Sequence, residues 1–90
     1  MITFADITKE MVSLQEKKNK DYGNSFEQTL DEFGLIAGVI RLNDKMNRVK
    51  QLCKSQKQEV KDEKIEDTLI DLANYAIMTL SWFKNNNGKI

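Results

Sequence analysis

A stripe of basic side chains at helical spacing is the strongest chemical signal in this sequence. Arg41, Lys45 and Arg48 fall at positions i, i+4 and i+7, which places them on one face of an α-helix. Guanidinium forks and ammonium groups bind phosphate oxygens. Just upstream, Gly34 and Gly38 are small enough to let a neighbouring helix or a ligand approach the backbone closely. The stripe therefore predicts a phosphate-binding surface or, alternatively, a set of interhelical ion pairs.

A complementary acidic stripe comprises Asp67, Asp71 and Asn74 at the same spacing, flanked by Tyr75. Two carboxylates one helical turn apart repel each other unless a cation or a hydrogen-bond donor lies between them. This stripe could hold a divalent ion, bind sugar or base groups of a ligand, or neutralise the basic stripe. The ligand-site hypothesis requires the two stripes to face each other across a gap that a small anion can enter.

A third group of polar side chains lies near the predicted end of the first helix. Lys18, Asp21 and Tyr22 precede Gly23, which can adopt the positive φ that ends a helix. Tyr22 could stack on a planar base, or it could cover the core beside a capped turn. We include Lys18, Asp21 and Tyr22 among the candidate ligand-binding residues.

Helical periodicity predicts an all-α fold, a small bundle of three or four helices in one domain over residues 1–90. Thr3 and Asp6 predict the start of a first helix that runs to about Lys20. A second helix spans about 26–52, with a break near Gly34. A polar linker is expected at about 53–61, followed by a last helix to about Lys84 that Asn85–Gly88 end.

The last helix has one broad apolar face, which we expect to pack against the core. Its members are Leu69, Leu72, Ala73, Ala76, Ile77, Leu80 and Phe83.

Composition favours a cytoplasmic protein that does not enter a membrane. The chain has 14 basic and 14 acidic residues, a balance that gives no reason to expect binding to bulk nucleic acid. It lacks the long apolar run of a membrane span or signal peptide. It has no histidine, which leaves carboxylates, lysines, tyrosines or a bound ion for any catalysis. At 90 residues, folding buries only about 60–65% of the chain's surface, so we expect a homo-oligomer.

Three runs of residues together resemble a known family. They are Lys18 to Gly23 (KNKDYG), Arg41 to Arg48 (RLNDKMNR) and Asp67 to Ala76 (DTLIDLANYA). In this order they resemble the nucleotide modification associated domain, type 1. The resemblance implies a phage or prophage protein, in a bacterial host cell, that acts around nucleotides or modified bases, and it implies no particular reaction.

The last of these runs is also similar to the final helix of MazG-like all-α nucleotide pyrophosphohydrolases, which hold magnesium with acidic residues. That similarity implies that Asp67 and Asp71 would bind Mg²⁺, with Glu63 and Glu66 as further candidates. The partner helix offers Asp44 among basic residues where that superfamily has a pair of glutamates. Asp44, Asp67 and Asp71 are therefore the candidate metal ligands if a metal is bound.

Three hypotheses follow, in order of preference. The first is a module that binds a nucleotide or nucleotide-derived ligand, and could sequester a nucleotide signal or act in nucleotide modification. The second is a Mg²⁺-dependent pyrophosphohydrolase. The third is a structural protein in which Trp82 and Phe83 join subunits.

Overall fold

The protein forms an α-helical bundle. The computed structural model describes the backbone of residues 1–22, 24–54 and 58–88, and the side chains of residues 1–18, 24–54 and 64–88. Within these residues the chain forms four helices, α1 (Phe4–Tyr22), α2 (Ser25–Phe33), α3 (Leu35–Lys54) and α4 (Gln58–Asn85). This confirms the predicted fold class.

The start of α1 is held by the predicted capping residues. The backbone N–H of Asp6 donates to the Thr3 hydroxyl at 3.2 Å, and the Thr3 backbone N–H donates to the Asp6 carboxylate at 3.0 Å. This reciprocal pair satisfies two of the donors that a helix start leaves free. The Thr3 backbone N–H, which donates to the Asp6 carboxylate, is the main cause that lowers the pKa of Asp6 below its ordinary value.

Gly34 separates α2 from α3, as the sequence predicts. Its φ of 83° lies in the left-handed region that favours glycine, and its N–H donates to the carbonyl of Leu30 at 2.7 Å. The predicted second helix is therefore two helices with a bend between them. Gly23, where a similar turn is predicted, lies outside the described residues.

The other predicted helix ends differ by a few residues. α3 continues through Cys53 and Lys54, and α4 already begins at Gln58, so any linker is confined to 55–57, outside the described residues. The acidic pair at 62 and 63 therefore lies inside α4 and does not mark its start. The end of α4 agrees with prediction, since Asn87 and Gly88 both take positive φ and the Gly88 N–H donates to the Phe83 carbonyl.

α3 and α4 form an antiparallel pair and approach closely at Gly38. A Cβ atom built on Gly38 would lie 2.5 Å from Cγ2 and 2.6 Å from Oγ1 of Thr79. The small residue is thus required for helix packing, one of the two uses that its position predicts. About two turns after Gly38, in the middle of α3, Lys45 lies opposite Asp71.

The core gathers where α2 packs onto α3 and α4. Leu30, Ala37 and Trp82 form a buried cluster, and Phe26 and Phe83 are packed against it. The Trp82 indole N–H donates to the carboxylate of Asp31 at 2.9 Å, which fixes α2 on α4. Trp82 is 8% exposed and packs within the chain, so little of its ring is available to join subunits.

The prediction for the apolar face of α4 holds only in part in the single chain, because Phe83 packs against the core and Leu72 and Ala73 are half-buried. Leu69, Ile77 and Leu80 are 47%, 54% and 53% exposed, whereas Thr68 and Thr79 on the other side are buried. The reason is that α1 and α3 pack on the side of α4 that carries its polar and aromatic residues. No described part of the chain fully covers Leu69, Ile77 and Leu80. Among the described residues, no helix is long and apolar enough to cross a membrane.

Replacing Thr79 with valine is expected to stabilise the protein. The Thr79 hydroxyl is buried without a hydrogen-bond partner, and valine replaces it with a methyl group of similar size. We expect a gain of about 1 kcal/mol in the free energy of unfolding, or about 4–8 °C in melting temperature. Thr68→Val is the matched control. Because the Thr68 hydroxyl donates to the Lys64 carbonyl at 2.6 Å, its loss should lower the melting temperature. A melting temperature lowered by Thr79→Val would contradict this interpretation.

Candidate functional site

Asp71 is the centre of an ion-pair cluster that joins three helices. Its two carboxylate oxygens accept from Nζ of Lys18 on α1, at 3.3 Å, and from Nζ of Lys45 on α3, at 3.4 Å. Asp71 lies in the middle of α4, between Lys18 near the end of α1 and Lys45 in the middle of α3. The structure thus brings together three predicted site residues that are distant in sequence.

The ring of Tyr75, one turn after Asp71, extends this cluster. The Arg41 guanidinium carbon and the Lys45 Nζ each lie 5.8 Å from the ring centroid, within the range of cation–π attraction. Phe26 of α2 packs edge-on against the same ring, with centroids 4.9 Å apart and planes at 76°. We call Lys18, Arg41, Lys45, Asp71 and Tyr75 the cationic cluster.

The cationic cluster carries more positive than negative charge and remains open to solvent. Lys18 and Lys45 share the single carboxylate of Asp71, and Arg41 contacts the Tyr75 ring but forms no ion pair with any described residue. The side chains of Lys18, Lys45 and Asp71 are 44%, 26% and 31% exposed. A surplus of cations at a partly desolvated surface attracts anions more strongly than the same charges would in bulk water.

A cavity adjoins the cationic cluster on the other side of Phe26. Its volume is about 320 Å³, at the lower end of the range for small-molecule sites. It lies between α1, α2 and α4, and its walls combine aromatic and polar side chains, among them Gln15, Phe26, Glu27, Trp82 and Asn85. These groups offer stacking surfaces and hydrogen-bond partners of both kinds.

The gap that the sequence predicts between the two stripes is closed in this structure. Lys45 contacts Asp71 directly, and α3 and α4 approach within van der Waals contact at Gly38. The space beside Gly38, which the sequence leaves open to a neighbouring helix or a ligand, is filled by the side chain of Thr79. Space next to the cationic cluster is instead found beside α1 and α2.

Other predicted site residues do not join the cationic cluster. Arg48, Asp44 and Asp67 are exposed and form no ion pair or hydrogen bond with the described residues. Asn74 is only 6% exposed, which leaves little of its amide available to a ligand. The side chains of Asp21 and Tyr22 lie outside the described residues, and their predicted role stays a prediction.

The candidate metal ligands do not form a metal site. Among the described residues, no three acidic, cysteine or histidine side chains lie close enough together to hold a metal ion. Of the three candidates, only Asp71 has close polar partners, and these are lysines. Ammonium groups occupy the carboxylate oxygens that a magnesium ion would need. The described residues therefore do not fit Mg²⁺, and we derive no reaction step from it. The side chain of Glu63 lies outside the described residues.

Phe26 is the residue of this site that the sequence did not identify. It orients Tyr75 and also lines the adjoining cavity. Its only signal is an aromatic side chain one turn before Leu30 at the start of α2, a spacing that equally predicts an ordinary core residue.

Comparison with known protein families gives one match. Residues 18–81, more than two thirds of the chain, match the family described as nucleotide modification associated domain 1. The matched range begins at Lys18 and includes the whole cationic cluster. No curated protein and no solved structure matches the chain.

Proposed function

Because the chain belongs to the nucleotide modification associated domain 1 family, we propose that it binds a nucleotide or a nucleotide-derived ligand at the cationic cluster. The observation that carries this proposal is the charge balance of the cluster. Lys18 and Lys45, from two helices, share one carboxylate, and Arg41 lies with Lys45 against the Tyr75 ring, at a surface that solvent can reach. A phosphate group supplies the negative charge that this arrangement lacks.

Each residue of the cationic cluster has a distinct part in this proposal. Lys18 and Lys45 donate to phosphate oxygens, and Arg41 offers a planar fork that matches two of them at once. Tyr75 holds Arg41 and Lys45 close to each other through its ring face. The base and sugar would then extend past Phe26 towards the adjoining cavity, where the Phe26 ring and the amide side chains offer stacking and hydrogen bonds.

Asp71 is a positioning residue in this proposal. Its two oxygens hold the ammonium groups of Lys18 and Lys45 near each other, which would otherwise repel. Binding without turnover follows from the same geometry, because no acid of the cluster is free to hold a metal or to activate water. A phage protein of this kind would act in the cytoplasm of its host by sequestering a nucleotide signal or presenting a nucleotide for modification.

Replacing Asp71 with asparagine tests this assignment. If Asp71 only positions the lysines, its negative charge repels an incoming phosphate. Removing this charge should then tighten binding of a nucleoside triphosphate by about 5-fold, because two charges 4 Å apart in water interact by about 1 kcal/mol. Calorimetric titration with a panel of nucleoside triphosphates measures the change.

Asp44→Asn is the matched control for this variant, because Asp44 is exposed on α3 and forms no ion pair. It should leave the affinity nearly unchanged. Abolished binding in Asp71→Asn, or pyrophosphate release with magnesium in the wild type that this variant loses, would show that Asp71 contacts ligand or metal and would refute the assignment.

A further inference from the structure

The single chain leaves an unusually large apolar surface uncovered. Among the described residues, thirteen large apolar side chains are exposed and only four apolar residues are buried. The accessible surface is 7254 Å², whereas a compact monomer of this mass exposes about 5,400 Å². The surface of the chain is therefore roughly 1,900 Å² larger than that of a compact monomer. The radius of gyration of 14.5 Å also exceeds the about 12 Å expected for 90 residues.

Seven of the exposed apolar side chains belong to the α3–α4 pair. α4 contributes Leu69, Ile77 and Leu80, and α3 contributes Ile36, Val39, Ile40 and Met46, all between 42% and 55% exposed. A shallow groove runs between the two helices, and Asn43 is the only polar residue of its lining. The lining consists of Val39, Leu42, Asn43, Met46, Leu69, Leu72, Ala73 and Ala76. The small Ala73 and Ala76 form its floor on α4, where a helix from outside can approach closely.

A second apolar groove continues this surface towards α1. It is lined by Ile2, Ile7 and Glu10 on one side and by α4 residues, including Glu66 at its edge, on the other. It shares Leu69 and Ala73 with the first groove. Ile2 and Ile7 are themselves 79% and 43% exposed. The two grooves form one continuous surface, which we call the apolar face. Together with the other exposed apolar side chains of α3 and α4, it offers on the order of 800 Å², the area per partner of a standard interface.

We propose that a second copy of this chain covers the apolar face, so that two α3–α4 pairs pack across a two-fold axis as a four-helix bundle. A two-fold interface needs one patch that complements itself, and the first groove, whose lining has no charged residue, meets that need. The first groove carries no charged residue, which gives a charged partner nothing to recognise. Covering it with an identical chain also supplies the burial that 90 residues alone do not achieve.

This interface leaves the cationic cluster free in both copies. On the wheel of α4, at about 100° per residue, Leu80 lies on the side opposite to Asp71. The two clusters would therefore open outwards, away from the two-fold axis. Self-association and nucleotide binding are thus separate properties of the chain, and each can fail in experiment without the other.

The test is the mass of the full chain in solution, measured by light scattering coupled to size exclusion over a range of protein concentrations. The wild type is expected at twice the chain mass of 10.4 kDa. Ala76→Arg places a charge in the groove at a position that is exposed in the single chain. An unpaired charge is strongly disfavoured in an apolar interface, so the dissociation constant should rise by about 100-fold or more.

Gln28→Arg, at an exposed position on α2, is the matched control and should remain a dimer. Leu69→Lys, in the part that both grooves share, is the second variant and should behave like Ala76→Arg. Because both residues are exposed in the single chain, loss of helical circular dichroism in both variants but not in the control would also support a covered face. A wild type that stays monomeric at all concentrations, or variants that dimerise as the wild type does, would overturn the proposal.

Discussion

Replacing Lys45 with methionine is expected to weaken nucleotide binding by about 10- to 100-fold while leaving the helical content unchanged. Methionine keeps the unbranched side chain and removes the charge. A hydrogen bond to a charged group contributes about 1.5–3 kcal/mol, which corresponds to this loss of affinity. Lys45 has the largest expected effect of the cluster because its side chain is less exposed than that of Lys18 and contacts both Asp71 and Tyr75.

Stability should change little in this variant, because Asp71 keeps its second partner, Lys18, and partly exposed ion pairs contribute at most about 1 kcal/mol. Lys50→Met is the matched control, since Lys50 is an exposed lysine on the opposite side of α3 and forms no ion pair with the described residues. Calorimetric titration of both variants with the same nucleoside triphosphate makes the comparison. Equal affinities would remove Lys45 from the site.

Replacing Gly38 with alanine is expected to lower the melting temperature by about 5–15 °C. The added Cβ would lie 2.5–2.6 Å from two side-chain atoms of Thr79, and a β-branched side chain has few alternative rotamers in a helix. α3 and α4 must therefore move apart. Overpacking of this kind costs about 1–3 kcal/mol, which outweighs the gain of up to about 1 kcal/mol from replacing glycine with alanine in a helix.

A second substitution identifies the cause of this destabilisation. Thr79→Ala removes both atoms that collide with the new Cβ, so Gly38→Ala combined with Thr79→Ala should recover most of the loss caused by Gly38→Ala. Thermal unfolding of the wild type, both single variants and the double variant gives the coupling energy. Additive effects would mean that the collision with Thr79 is not what makes glycine necessary.

Local signals predicted much of the fold. The Thr3–Asp6 capping pair and the break at Gly34 both form as the sequence indicates, because each depends on hydrogen bonds within a few residues. The cationic cluster could also be predicted in part from the sequence. Helical spacing places the members of each stripe on one face, and opposite charges then favour the pairing that the structure shows between Lys45 and Asp71.

The packing of α4 could not be predicted in the same way. An apolar face indicates only that some partner will cover it, and the partner can be the same chain or another one. In the single chain the helix instead buries Thr68, Thr79 and Trp82. For the same reason Gly38 could not be assigned from sequence to helix contact or to ligand approach, because that choice depends on which residue lies opposite it.

The most direct test of the account is an NMR titration of the isotope-labelled full chain with a nucleoside triphosphate. We expect the largest chemical-shift changes at Lys18, Arg41, Lys45 and Tyr75, with smaller changes along the cavity beyond Phe26 and none on the apolar face. Absence of changes with any nucleotide, or changes confined to residues away from the cationic cluster, would contradict the proposed site.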